Sequence, residues 1–143
     1  MEHKVFAVRC ASYDQAEEKL KELLGLMQGI ESFVSAGEKI VLKANLLLHA
    51  KPEKAVTTHP SIVSSIGKMV KDAGAVPILV DSPGSGFKYN EKMLKRIYRT
   101  CGLKEICEAG GVKLNFDTSA EEVSYPEGKL IKRFEVITPI LQS

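Results

Sequence analysis

Residues 76–86 read VPILVDSPGSG, and this stretch decides the fold class. Val76–Val80 is the most strand-like run of the chain, and the Asp, Ser, Pro and Gly residues that follow end it sharply. Helical patterns lie on both sides. Pro60 is typical of a first helical residue, where the missing N–H has no partner to lose, and Asn90 predicts the cap of the next helix. The local order is therefore helix, strand, loop, helix.

The residues before this stretch follow the same alternation. We predict a strand at Lys4–Arg9 and a helix that begins at Asp14. Glu17 completes a capping-box-like pair with Asp14, and Gly29 is a natural C-terminal stop. The helix carries one apolar stripe, formed by Ala16, Leu20, Leu23, Leu24 and Met27. A short buried strand is predicted at Lys39–Lys43.

The residues after Asn90 extend the pattern and then change it. The third helix ends at Gly102, a helical turn follows over residues 103–109, and Val112–Phe116 predicts a further strand. The alternation of strands and helices up to this point predicts an α/β fold, with a mainly parallel sheet covered by helices. Beyond it, Val123–Tyr125 and Leu130–Ile137 flank a turn at residues 126–128. They predict an antiparallel hairpin at the C-terminal edge.

Length and composition favour one domain over residues 1–143. The chain is 44% apolar and 27% charged, a size and balance that need no disulfide or metal for folding. The longest apolar runs are far shorter than a bilayer span, and no apolar signal core follows Met1, so we expect a cytoplasmic protein without a membrane segment. The apolar end at Val136–Leu141 suggests a fragment of a longer protein.

The cysteines and the net charge exclude several functions. Cys10, Cys101 and Cys107 are three scattered thiols without a C-x-x-C pair, so we expect no iron–sulfur cluster in this segment. Cys101 falls on an apolar helix stripe and is predicted to be a core residue. A net charge of +2 and few aromatic residues make nucleic-acid binding unlikely.

Two loops carry the candidate site, because ligands of open α/β sheets bind beyond the carboxyl ends of the strands. The first loop supplies Lys43 and Asn45 and leads to Thr58 and His59 at a helix start. The second supplies the residues after Val80: Asp81, Ser82, Gly84, Ser85 and Gly86. Glycines two apart let a backbone approach a ligand closely, and a helix N-terminus favours an anion. A tight strand-to-helix turn explains the same residues without a ligand.

Three of these residues are candidates for catalysis: Lys43, His59 and Asp81. His59 is able to act as a base or a metal ligand, but a local hydrogen bond at the helix start also explains it. Lys43 and Asp81 end two strands that we expect to be neighbours, so they form either a simple ion pair or a surface that matches a ligand. His3 and His49 are predicted to be solvent-exposed, and the spacing of the histidines fixes no metal site.

The same residues carry a family resemblance. Lys43-Ala44-Asn45, Thr57-Thr58-His59-Pro60 and Asp81-Ser82-Pro83-Gly84 occur in the order found in the domain of unknown function 362 family, which this chain resembles from about Val5 onward. Ala44 stands where the family pattern usually has proline. The resemblance implies a longer protein, commonly joined to a ferredoxin-like module with two four-iron clusters. It implies no particular reaction.

We therefore interpret the chain as the N-terminal α/β part of an iron–sulfur or redox-associated protein that holds a small anionic ligand or substrate at the strand ends. Whether it is an enzyme stays open. The alternative is a non-catalytic module that docks an acidic protein partner through a basic helix. Residues 88–104 carry six cations and a single carboxylate, namely Lys88, Lys92, Lys95, Arg96, Arg99 and Lys104 against Glu91. A solvated helix face explains this run equally well.

Overall fold

The computed structural model describes residues 4–84, 86 and 88–143. Its helices are α1 Ala16–Leu26, α2 Pro60–Asp72, α3 Glu91–Thr100, α4 Leu103–Gly110 and α5 Thr138–Leu141. Its strands are β1 Lys39–Leu42, β2 Val76–Leu79, β3 Lys113–Leu114, β4 Ala120–Ser124 and β5 Arg133–Ile137. Short 3-10 turns lie at Tyr13–Gln15, Ile30–Ser32 and Pro52–Lys54.

A parallel sheet of three strands, in the order β1-β2-β3, forms the centre of the fold. Leu42 of β1 pairs with Leu79 of β2, and Leu79 pairs in turn with Leu114 of β3. The main core contains Leu79 together with Leu94, Ile97 and Tyr98 of α3. The predicted α/β class with a mainly parallel sheet and a C-terminal hairpin is confirmed. Because the three strands of the sheet are parallel, their carboxyl ends lie at the same edge.

The strand predicted at Lys4–Arg9 is wrong. Residues 4–10 form no regular element, and Val5 is 93% exposed. Apolar and β-branched residues favour a strand only where a neighbouring strand accepts their backbone hydrogen bonds and a core covers one face. Among the described residues, β1 pairs only with β2, so residues 4–10 have no neighbouring strand. Most of these residues are also exposed, so no core covers one face of the segment.

The start of the first helix also differs from the prediction. Asp14 lies inside the 3-10 turn Tyr13–Gln15, and α1 begins at Ala16 without a side-chain cap. The Gln15 side chain accepts a hydrogen bond from the Ala11 N–H, while Glu17 pairs with lysines instead of closing a capping box. The helix ends at Leu26, just before the predicted stop: Gln28 takes the left-handed conformation, with φ 73°, and the Gly29 N–H donates to the Leu24 carbonyl at 2.8 Å.

The other two predicted helix starts are confirmed. α2 begins at Pro60, and the Asn90 side chain accepts a hydrogen bond from the Met93 N–H at 2.9 Å at the start of α3. Cys101, predicted to be a core residue, is buried at the C-terminal end of α3. α2 packs so closely on the sheet that a Cβ at Gly67 would lie 2.2 Å from Val112 Cγ2.

The C-terminal hairpin, β4 and β5 with their connection, is a two-stranded antiparallel sheet of its own. Its first strand starts at Ala120, earlier than predicted, and its second starts at Arg133, because Leu130 and Ile131 lie in the exposed connection. The short helix α5 follows directly. No helix within the described ranges is long and apolar enough to cross a bilayer.

Candidate functional site

The ends of β1 and β2 bring Lys43 and Asp81 together. Since the strands are parallel and Leu42 pairs with Leu79, the next residues of each chain leave the sheet at the same edge. The Val80 N–H still donates to the Leu42 carbonyl at 3.1 Å. Lys43 Nζ then lies 3.4 Å from Asp81 Oδ2. The expected neighbourhood of these two strand ends is confirmed.

Asp81 is held by the backbone of both loops. Its Oδ2 accepts the Leu46 N–H at 2.8 Å, and its Oδ1 accepts the Ser82 N–H at 2.9 Å. Only 11% of the Asp81 side chain is exposed, whereas 65% of the Lys43 side chain is. The carboxylate is therefore neutralised and directed inward, and the ammonium group that helps to neutralise it remains reachable from solvent.

Asn45 orients a second donor beside Lys43. The Asn45 backbone is left-handed, with φ 48°, a conformation that Asn adopts more readily than most residues. Its side-chain oxygen Oδ1 accepts a hydrogen bond from Lys43 Nζ. Because the oxygen and nitrogen of an amide lie on opposite sides of Cγ, this bond turns the Asn45 NH₂ group away from Lys43 and leaves it available to another acceptor.

An open cleft of about 460 Å³ is lined by residues of both loops, the one that follows β1 and the one that follows β2. Its polar lining consists of Lys43, Asn45, Asp81 and Ser82, and its remaining lining consists of Leu46, Leu47, Val56 and Gly84. The leucines and Val56 were not predicted as site residues. The run Leu46-Leu47-Leu48, unusually apolar for an irregular stretch, was the signal that could have found two of them.

Gly84 has a packing explanation. Its N–H donates to the Leu46 carbonyl at 3.0 Å, and a Cβ at this position would lie 2.7 Å from Leu47 Cδ1. Glycine is thus needed where the second loop closes on the first. Gly86 is exposed with φ 74°, and open space surrounds the position of its missing Cβ. Ser85 lies outside the described residues.

Thr58 and His59 stand at the entrance of α2. The Thr58 N–H donates to the Ala44 carbonyl at 3.1 Å, which ties this entrance to the end of β1. His59 Nδ1 accepts the Ser61 N–H at 3.3 Å and lies 2.9 Å from Ser61 Oγ. The imidazole stacks on Tyr13 with ring centroids 3.6 Å apart. His59 thus caps the helix, and a role for it as a base or ligand contact stays a prediction.

The two other histidines of the chain are His49 and His3. His49 is half-buried rather than exposed and lies at a bend in the loop between β1 and α2. His3 lies outside the described residues. Across residues 4–84, 86 and 88–143, no three His, Cys, Asp or Glu side chains are grouped so that they could hold a metal ion.

Tyr89 is a neutral neighbour of the strand ends. Burial raises the pKa of this half-buried phenol, and the nearby carboxylates of Asp117 and Asp81 raise it further. Its hydroxyl donates to the Asp117 carbonyl at 3.3 Å. The phenol therefore stays protonated at neutral pH and adds no negative charge near the cleft.

The basic run lies elsewhere, on the outer face of α3. Lys92, Lys95, Arg96 and Arg99 are exposed around a shallow hollow of about 520 Å³. Lys95 pairs with Glu91 at 2.6 Å. The side chains on this face are exposed to solvent, as expected of a solvated helix face. Docking of an acidic partner on it stays a prediction.

Comparison with known sequences identifies the family. A family model described as "Domain of unknown function (DUF362)" matches residues 40–143. The chain belongs to the DUF362 family. The match begins at β1, not near Val5 where the resemblance was expected to begin, so α1 precedes the matched region. The three motifs that carry the resemblance, with the Lys43, His59 and Asp81 positions, lie inside the DUF362 match, although Thr58 and His59 are not among the residues that line the cleft.

One relative extends this picture. A thylakoid-associated protein of Synechocystis is 33% identical to the DUF362 chain over 88 residues. The alignment covers 60% of this chain and 27% of the relative, so the chain matches about a quarter of the relative's length. No solved structure matches the chain significantly.

Proposed function

We propose that this DUF362 domain binds a small anionic ligand or substrate at the carboxyl ends of β1 and β2. The observation that carries the proposal is the pairing of an exposed ammonium group, Lys43, with an oriented side-chain amide, Asn45, beside a neutralised carboxylate. The exposed Ser82 hydroxyl lies on the same cleft and supplies a third donor. Donors of this kind suit a carboxylate or phosphate group.

The hydrogen bonds of Asp81 favour an anion over a metal cation. A cation would need carboxylate oxygens as ligands, but both oxygens of Asp81 already accept backbone N–H groups, from Leu46 and Ser82. Coordination would compete with these bonds and would place the cation beside the Lys43 ammonium group, which lies 3.4 Å from Asp81 Oδ2. An anion faces no such cost, because the charge of Asp81 is compensated locally and Lys43 is the more exposed partner of the pair.

The wider context is also part of the proposal. We place the domain as the N-terminal α/β part of a longer redox-associated protein, in which a downstream four-iron cluster module delivers electrons to the bound substrate. The cluster module rests on the family resemblance alone, and the partial coverage of the relative, 27% of its length, fits a longer protein. All three cysteines are free thiols, which fits a reducing compartment such as the cytoplasm. The relative's name, thylakoid-associated, makes attachment to a membrane surface the competing location.

Direct binding measurements test the site. Isothermal titration with phosphate, sulfate and acetate should detect binding to the unmodified chain, and Lys43→Ala should weaken it at least tenfold. Lys92→Ala removes another exposed lysine, on the α3 face, and is the matched control, expected to change affinity less than twofold. Equal losses in the two variants would show that the anions respond to overall charge, and the proposal would fail.

A further inference from the structure

We infer that the strand-end cleft takes an organic anion with an apolar body, and discriminates against inorganic anions. The inference rests on the proposed function, since it assumes that the anionic head lies against Lys43 and Asn45. It adds a second half to the site: an apolar wall formed by Leu47 and Val56, which borders the same cleft.

The apolar wall is only partly buried by the protein itself. Leu46 is 1% exposed and belongs to the core, but its neighbour Leu47 is 43% exposed. Val56, across the same loop, is half-buried. Exposed single leucines are common on protein surfaces. Leu47 differs from such leucines because it lines the same cleft as the exposed Lys43 ammonium group and the Asn45 side-chain amide.

Leu47 is also held in place. The Leu46 N–H is bonded to Asp81, and the Leu46 carbonyl accepts the Gly84 N–H. The position of a Cβ on Gly84 is filled by Leu47 Cδ1. Backbone bonds before it and a packed contact beside it fix the direction of the side chain, so a ligand that covers Leu47 loses little entropy in ordering it.

The size and polarity of the cleft fit this ligand class. Its volume of about 460 Å³ falls in the range of small-molecule sites, roughly 300–1,000 Å³. Such sites combine a mostly apolar lining with a few polar groups that orient the ligand. A phosphate or sulfate ion would use the polar groups and leave the apolar wall in water.

A series of straight-chain carboxylates tests the inference. From acetate through butyrate to hexanoate, affinity measured by titration should rise about twofold to fourfold per methylene, since a buried methylene is worth about 0.8 kcal/mol when fully removed from water. Leu47→Ser should flatten this rise, with a loss of affinity that grows from acetate to hexanoate. Lys43→Ala should weaken all three ligands by the same factor.

Two further variants complete the test. Leu130→Ser is the matched control, because Leu130 is 95% exposed on the distant hairpin connection and should leave the series intact. Val56→Thr preserves side-chain shape and provides a second probe of the wall if Leu47→Ser perturbs folding. Equal binding of acetate and hexanoate would overturn the inference and leave the proposed function standing. An unchanged rise in both wall variants would also overturn it. Failure of every carboxylate to bind would overturn it too, and the proposed function would fall with it only if phosphate and sulfate also failed to bind.

Discussion

Asp81→Ala should destabilise the fold far more than removal of its ion-pair partner. The carboxylate accepts hydrogen bonds from two backbone amides and one lysine, and these three donors differ in exposure. Leu46 is 1% exposed, so its N–H cannot turn to water once the acceptor is lost. Ser82 is exposed, and its amide can be hydrated.

The magnitude follows from these exposures. An unsatisfied buried donor costs about 1–3 kcal/mol, so the Leu46 amide dominates the loss. The hydrated Ser82 amide adds roughly 0.5–1 kcal/mol. The pair with Lys43, whose side chain is 65% exposed, is screened by solvent and contributes about 0–1 kcal/mol. Together they predict a loss of about 1.5–5 kcal/mol for Asp81→Ala.

Equilibrium urea unfolding followed by circular dichroism measures these losses. Asp81→Asn keeps one carbonyl oxygen for the Leu46 N–H and should cost about 1–2 kcal/mol. Lys43→Met should cost less than about 1 kcal/mol. If Lys43→Met proves as costly as Asp81→Ala, the ion pair and not the backbone bonds holds the two loops together, and the reasoning is refuted.

Three further predictions concern other parts of the fold. Gly67→Ala should destabilise the fold by about 1–3 kcal/mol in urea unfolding, because its new methyl group overlaps Val112. Adding Val112→Ala to this variant should recover part of the lost stability. A more stable Gly67→Ala variant would contradict the packing. Hydrogen bonds from lysines of α1 and α2 lower the pKa of Glu17 from 4.5 to about 2, so its contribution to stability is present above about pH 4.5 and is lost as the pH falls toward 2. Lys68→Met should reduce that acid sensitivity in unfolding curves, and an unchanged pH profile would oppose it. Among the strands, those of the C-terminal hairpin should exchange fastest in hydrogen exchange and β2 slowest, since the hairpin strands are mostly exposed; equal protection would argue against this.

Much of the fold was predictable because its signals are local. Pro60 and Asn90 fix helix starts through their own backbone and side-chain chemistry, and the structure confirms both. The segment at Lys4–Arg9 has a strand composition, but a strand also needs a partner, and residue patterns do not reveal whether one is available. Asp14 failed as a cap because an alternative 3-10 turn competes for the same residues.

The candidate site was predictable only in part. Parallel pairing of neighbouring strands was enough to expect Lys43 near Asp81. The bond from the Leu46 amide to Asp81 depends on the path of an irregular loop, which no periodicity encodes. The stacking of Tyr13 on His59 joins residues far apart in sequence and was missed for the same reason.

Mapping of backbone amide shifts by NMR tests the central claim most directly. During titration with acetate, the account predicts shifts confined to residues 43–47, 56–58 and 81–84, absent in Lys43→Ala at the same ligand concentration. Shifts spread over residues 88–104 and unaffected by Lys43→Ala would contradict it, and would place anion binding on the basic face of α3 instead.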